Sequence, residues 1–143
     1  MYLSEHFTLA EMTVSETAAR LGIDNTPDAQ TLVNLRRLCT FLEQIRQLVD
    51  KPVLVSSGYR CLQLNEVIGG SLQSAHTDGL AADINVPGLT PRELARGVAD
   101  SSLMFDQLIL EFDQWVHVGL SLTPERRQLL TVRKGTGYLP GLV

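Results

Sequence analysis

Two of the chain's three histidines stand in unusual company. His76 opens the run His76-Thr77-Asp78-Gly79-Leu80-Ala81-Ala82-Asp83, and His117 sits in Trp115-Val116-His117-Val118. Catalytic zinc sites take three protein ligands and keep a fourth position for water. His76, Asp83 and His117 would provide two imidazoles and one carboxylate. Asp83 lies between Ala82 and Ile84 in an otherwise apolar strand pattern, and a buried carboxylate requires a partner or a metal. Gly79 would let the backbone turn back between the first two ligands. A hydrogen-bonded core histidine and an aspartate in a structural ion pair are the ordinary alternatives, and spacing by itself leaves them open.

A general base is the second requirement of such chemistry. Gln107 to Glu111 and Trp115 to Ser121 read as strands flanking Phe112-Asp113-Gln114, a short hairpin loop. A three-residue loop pairs Glu111 with Trp115 and Ile109 with His117, and cross-strand partners share a face. Glu111, Trp115 and His117 are therefore expected on one face, with Val116, Val118 and Leu120 on the other. A carboxylate beside a metal-activated water is what a general base needs.

These residues need a scaffold. Ser15 to Leu21 reads as a short helix stopped by Gly22. Thr26-Pro27-Asp28 reads as the start of a longer helix, with Thr26 as cap, Pro27 in the first turn and Asp28 complementing the dipole. Leu32, Leu35, Leu38, Leu42, Ile45 and Val49 form one apolar stripe along it. Pro52 to Ser56 reads as a buried strand, Ser57 to Arg60 as a turn, and Cys61 to Ile68 as one or two helical turns ended by Gly69-Gly70. Ser71 to Gly79 is loop-like, and Leu80 to Val86 is a strand. Thr90-Pro91-Arg92-Glu93 is a capping box opening a helix to about Asp100. Leu129 to Arg133 adds a further strand. The expected fold class is α+β, with N-terminal helices packed on a small, mainly antiparallel sheet.

Composition agrees with one ordinary domain over residues 1–143, with 44% hydrophobic and 20% charged residues, 11 glycines and 6 prolines. A chain of this size buries about two-thirds of its unfolded surface and needs no metal or disulfide merely to fold. Disorder is excluded by the normal apolar content, and a membrane span by the absence of a run of about 18 apolar residues. The net charge of −4 argues against a nucleic-acid binder working through a broad basic face. Two cysteines exclude four-cysteine zinc modules and multi-disulfide scaffolds. A Cys39–Cys61 bridge is possible but not implied, since each lies in an apolar helical pattern. Arg126, Arg127, Arg133 and Lys134 form a modest basic patch, read as a solvated face that could aid approach to an anionic wall. His6 reads as structural or exposed, and Asp78 as a loop residue satisfying backbone amides.

Ser74-x-His76, Gly79, Ala81 and Asp83, with Trp115-x-His117, resemble the signature of the zinc D-Ala-D-Ala peptidase superfamily. That group (the LAS type) includes bacterial D-Ala-D-Ala carboxypeptidases and dipeptidases, phage L-alanyl-D-glutamate endopeptidases and hedgehog signalling domains. The resemblance extends to Ser56-Ser57-Gly58-Tyr59-Arg60, Asn65, Gly69-Gly70-Ser71, Phe105 to Ile109, and Ser4-x-His6-Phe7-Thr8-Leu9-x-Glu11. It covers nearly the whole chain and is nearest to the small branch common in phages and prophages. It implies a hedgehog-like, D-Ala-D-Ala peptidase-like fold and Zn2+ held by His76, Asp83 and His117. It implies that Arg60 contacts the substrate or the developing oxyanion, for which a planar, permanently charged donor suits. Gln73 and Ser74 would line the cleft. Tyr59 and Trp115 would pack at its rim, where Trp115 could shape the peptide groove. Many members carry an acid or histidine three residues before the last ligand. That position is Gln114 here, which cannot act as a base. Others use a glutamate further upstream, which Glu111 matches; Asp113 and the absence of a competent base are the alternatives.

The resemblance implies a zinc peptidase, either carboxypeptidase or endolysin-type endopeptidase, acting on peptidoglycan stem peptides. The alternative is a zinc-binding but non-catalytic interaction or assembly protein of a phage particle. No signal peptide is visible between Met1 and Thr8, so synthesis in the cytoplasm is expected, with action at the cell wall, in the periplasm or on a virion. A monomer is expected, without nucleic acid or membrane insertion as partners, and the length is expected to leave no room for a wall-binding module.

Overall fold

The computed structural model describes residues 1–143. Three helices come first: α1 Leu9–Thr13, α2 Glu16–Leu21 and α3 Ala29–Val49. Thr8 and Glu11 close a capping box on α1, and Ser15 caps α2, which ends at Gly22 in the left-handed region. The cap of α3 is Asp28, not Thr26: the Asp28 carboxylate accepts from the Thr31 amide at 2.8 Å, whereas the Thr26 hydroxyl donates to Asp24 at 2.6 Å. An aspartate one step from the helix is as good an acceptor as threonine and also carries the charge that the dipole favours. Glu43 on α3 pins the N-terminal segment, accepting from the Ser4 hydroxyl and the His6 amide at 2.6 Å and meeting the His6 ring at 2.7 Å. His6 is thus a structural residue and stands outside the cluster formed by the other two histidines.

β1 Leu54–Ser57, α4 Leu62–Val67, β2 Ala81–Asn85, α5 Pro91–Ala99, β3 Gln107–Glu111, β4 Trp115–Gly119, β5 Gln128–Arg133 and β6 Gly137–Pro140 complete the chain. The six strands form one sheet in the order β1-β2-β4-β3-β5-β6. Every pairing is antiparallel except β3 with β5, so the sheet is mainly antiparallel as expected. The hairpin register is the expected one, Glu111 opposite Trp115 and Ile109 opposite His117. No glycine serves its turn; Phe112 and Asp113 take φ values of 55° and 54°, and the Phe112 ring packs on Trp115 at 5.6 Å.

Alternation divides the sheet. Ala82, Ile84, Leu108, Leu110, Val116 and Val118 are buried on one face against Leu35, Leu38, Leu42 and Ile45 of α3 and Leu94, Ala95 and Val98 of α5. The opposite face carries Asp83, His117 and Glu111. No helix is long and apolar enough to cross a membrane.

Two local expectations are corrected, and the cysteines, for which the sequence implies no bridge, are unpaired. The first strand is not buried throughout, because β1 is an edge strand with one neighbour; Leu54 is 54% exposed, and Val53 before it is the buried residue. Both cysteines are free thiols. Cys39 lies in the core, where burial pushes its thiol up to about 12, while Cys61 is the cap position of α4 rather than part of a helix. The basic patch is largely paired. Arg126 forms a two-pronged bond to Asp106, Arg133 does the same to Asp113, and Arg127 donates inward to the Ser101 and Leu103 carbonyls over the Phe105 ring.

Candidate metal centre

Two strands and one tight turn bring His76, Asp83 and His117 together. Asp83 on β2 and His117 on β4 are register partners, so their side chains leave the sheet side by side. His76 comes from a single 3-10 turn, Ala75–Asp78, which Ser74 caps by accepting from the His76 amide. Gly79 ends that turn at φ 73°, and a Cβ there would lie 2.9 Å from the Thr31 side chain. Glycine is therefore required twice over, for its dihedral and for the closeness of α3. Asn34 of α3 steadies the turn by donating to the Asp78 carbonyl at 2.8 Å. This carbonyl, not the Asp78 carboxylate, is what the structure uses.

Asp83 Oδ1 lies 3.4 Å from His76 Nε2 and 3.0 Å from His117 Nδ1. The three donor atoms fall within 4.8 Å of one another. Ligands about 2.1 Å from a tetrahedral ion stand roughly 3.4 Å apart, so the cluster is of metal-binding size. The donor chemistry fits as well. Two imidazole nitrogens and one carboxylate oxygen form the three-ligand set of catalytic zinc, leaving a position open. His76 Nδ1 meets the Gly58 carbonyl at 2.7 Å. A carbonyl only accepts, so Nδ1 carries the hydrogen and Nε2 turns its lone pair to the cluster.

Electrostatics sort the two carboxylates. Burial alone would raise Asp83, but the hydrogen bond from His117 and the electrostatic attraction of the two imidazoles outweigh it and hold the carboxyl well below its ordinary value. Glu111 goes the other way. Burial pushes it up, the Asp83 charge adds to this, and His117 and Arg60 offset it only in part. Glu111 Oε1 stands 3.7 Å from His117 Nδ1, the same nitrogen that faces Asp83. Paired environments that drive two carboxyls apart are what an acid–base site requires.

The cluster opens into a cavity of about 630 Å3, which Gln73, Ser74 and Trp115 line together with Arg60 and Glu111. Arg60 is half-buried, and loss of solvation lowers its pKa against the opposing charges of Asp83 and Glu111. Its Nη2 donates weakly to Ser74 at 3.4 Å, and its Nε is buried without a partner. Tyr59 is in the core beneath the rim. Asp113 and Gln114 are exposed on the hairpin turn, and Asp113 is occupied by Arg133. Neither belongs to the cavity.

Gly58, which the sequence places in the Ser56-to-Arg60 motif without a role beyond the turn, is a supporting residue of the site. A Cβ on it would lie 2.5 Å from the Met12 carbonyl oxygen, which already accepts from the Tyr59 amide at 2.7 Å. Gly58→Ala is therefore expected to lower stability by about 1–3 kcal/mol through overpacking. Shifting the carbonyl that orients His76 should also weaken zinc affinity by roughly 10- to 100-fold. Thermal melts and a competitive zinc titration check both effects.

A protein-family model described as Peptidase M15 matches residues 5–119. No curated protein matches the chain.

Proposed function

Because the chain belongs to the Peptidase M15 family, we propose that it is a zinc-dependent peptidase hydrolysing peptide bonds in the stem peptides of bacterial peptidoglycan. The observation that carries this reading is the convergence of His76, Asp83 and His117 with Glu111 3.7 Å from the metal-facing nitrogen of His117. A partly buried, paired carboxylate with a second carboxyl beside it is weak support for stability alone.

Zinc in this site would supply Lewis acidity toward water and the scissile carbonyl. His76, Asp83 and His117 would hold it, with the Gly58 carbonyl fixing the His76 ring. Glu111, its proton affinity raised by burial, takes the proton of the attacking water and returns it to the leaving amine. Arg60 aims its unpaired donors at the oxygen that gains negative charge. Gln73, Ser74 and Trp115 contact the peptide along the cleft. The chain acts as a monomer on the wall, from the periplasmic side or carried on a virion, without nucleic acid.

Mass spectrometry of purified peptidoglycan digested with the zinc-loaded chain tests this. Stem peptides shortened by a terminal D-alanine, or severed within the stem, are the expected products; the first marks a carboxypeptidase and the second an endopeptidase. Unchanged muropeptides across several wall chemotypes would overturn the reading in favour of a non-catalytic zinc protein of a phage particle.

A further inference from the structure

The family match ends at residue 119, but the cavity does not. Leu130 of β5 and Tyr138 of β6 also line it. Register explains why. Tyr138 pairs with Val132, Val132 with Glu111, and Glu111 with Trp115. Paired residues share a face, so Trp115, Glu111, Val132 and Tyr138 form one row across four strands. The neighbouring row runs Asp83, His117, Ile109 and Leu130. The C-terminal hairpin thus extends the metal face of the sheet to its far edge.

The order of the strands sets the cleft's polarity. Arg60 follows β1 at one edge of the sheet, and Tyr138 is on β6 at the other. Asp83, His117 and Glu111 lie between them. Glu111 and Tyr138 stand two strand spacings apart, about 10 Å in backbone terms. Burial first, then the charges of Glu111 and Asp83, push the Tyr138 phenol up, so the hydroxyl keeps its hydrogen and remains a donor. No hydrogen bond holds that hydroxyl among its ionisable neighbours. The residue is 63% exposed, so it is not there to fill the core.

We infer that Tyr138 is a substrate-contacting residue, donating its hydroxyl to a backbone carbonyl of the bound peptide on the Glu111 side of the scissile bond. The substrate would then lie across the strands, held at one end by Arg60 and at the other by Tyr138. A peptide is the fitting chemical class, since its carbonyls are the acceptors a neutral phenol recognises without placing a further charge beside two carboxylates. This rests on the peptidase reading above and adds a specificity residue from outside the family-matched segment.

Kinetics of zinc-loaded wild type, Tyr138→Phe and Tyr138→Ala on a soluble stem pentapeptide test it. One lost hydrogen bond corresponds to a fall of roughly five- to tenfold in kcat/KM for Tyr138→Phe. The alanine variant should lose more, mainly through KM, with zinc content and melting temperature as in wild type. Calorimetric titration of the same peptide into Glu111→Gln, with and without Tyr138→Phe, should show matching weakening of binding. Unchanged kcat/KM and affinity in both Tyr138 variants, on an active wild type, would overturn this inference and leave the peptidase reading standing. A wild type that neither cleaves nor binds the pentapeptide would overturn both.

Discussion

Glu111→Gln should abolish nearly all peptide hydrolysis, lowering kcat by about two to four orders of magnitude, the range attributed to a positioned general base. The amide keeps the shape of the side chain but cannot accept a proton. Glu111 is on β3 at the cleft face, 3.7 Å from His117, and is not one of the three clustered donors. Zinc content should therefore stay at the wild-type value. Stability should hold or rise slightly, because a half-buried carboxylate near Asp83 is replaced by a neutral group. Asp113→Asn is the contrast. Its carboxylate is exposed and bound by Arg133 on the hairpin turn, so kcat should change by less than about twofold, as for a surface substitution. Steady-state kinetics with metal analysis on both variants decides the matter. Retained turnover in Glu111→Gln would remove it as the base, and a large loss in Asp113→Asn would transfer the role.

The second large effect is on the metal. On the proposed ligand set, Asp83→Ala removes a direct ligand and should weaken zinc binding by more than the roughly 10- to 100-fold that follows loss of an outer partner. Asp83 Oδ1 also links His76 Nε2 and His117 Nδ1 at 3.4 and 3.0 Å. Its loss leaves the buried His117 Nδ1 without its acceptor, a cost of about 1–3 kcal/mol to the metal-free fold. Chelation should thus lower the melting temperature of wild type, because an ion bound only by the folded chain stabilises it. Asp83→Ala should melt lower at the outset and respond little to chelator. His6→Ala, altering a histidine tied to Glu43 far from the cluster, should keep its zinc. Calorimetry in the presence and absence of chelator separates these cases, and a full zinc complement in Asp83→Ala would contradict the ligand set.

Parts of this site are legible in the sequence. The faces of Glu111 and His117 follow from a period of two and a three-residue loop, both local properties. The helix bounded by Thr90 and Glu93 follows from its capping box, observed as read. The long helix was legible from its stripe, yet its cap was displaced from Thr26 to Asp28, because neighbouring oxygens compete for the same amides within a few ångströms.

Other features depend on which distant segments meet. Arg126, Arg127 and Arg133 read as a solvated patch, but Asp106, the Ser101 and Leu103 carbonyls and Asp113 engage them across 20 or more residues. Periodicity is silent about such partners. Gly58 looked like a turn glycine; its place 2.5 Å from the Met12 carbonyl at an added Cβ, and its carbonyl on His76, come from α1 packing near β1. Tyr138 shows the same division most clearly. Nothing in Gly137 to Pro140 marks it for a cleft, since a four-residue strand has too little pattern to be read. Only the parallel pairing of β5 with β3 sets it in line with Glu111. Local spacing thus specified the face of Glu111 and His117, because alternation along a strand is built into the backbone, and it only raised His76, Asp83 and His117 as candidate ligands. Tertiary pairing alone specified the second wall of the cleft and the carbonyl that orients His76, because strand order and close backbone approach depend on the whole chain closing on one core.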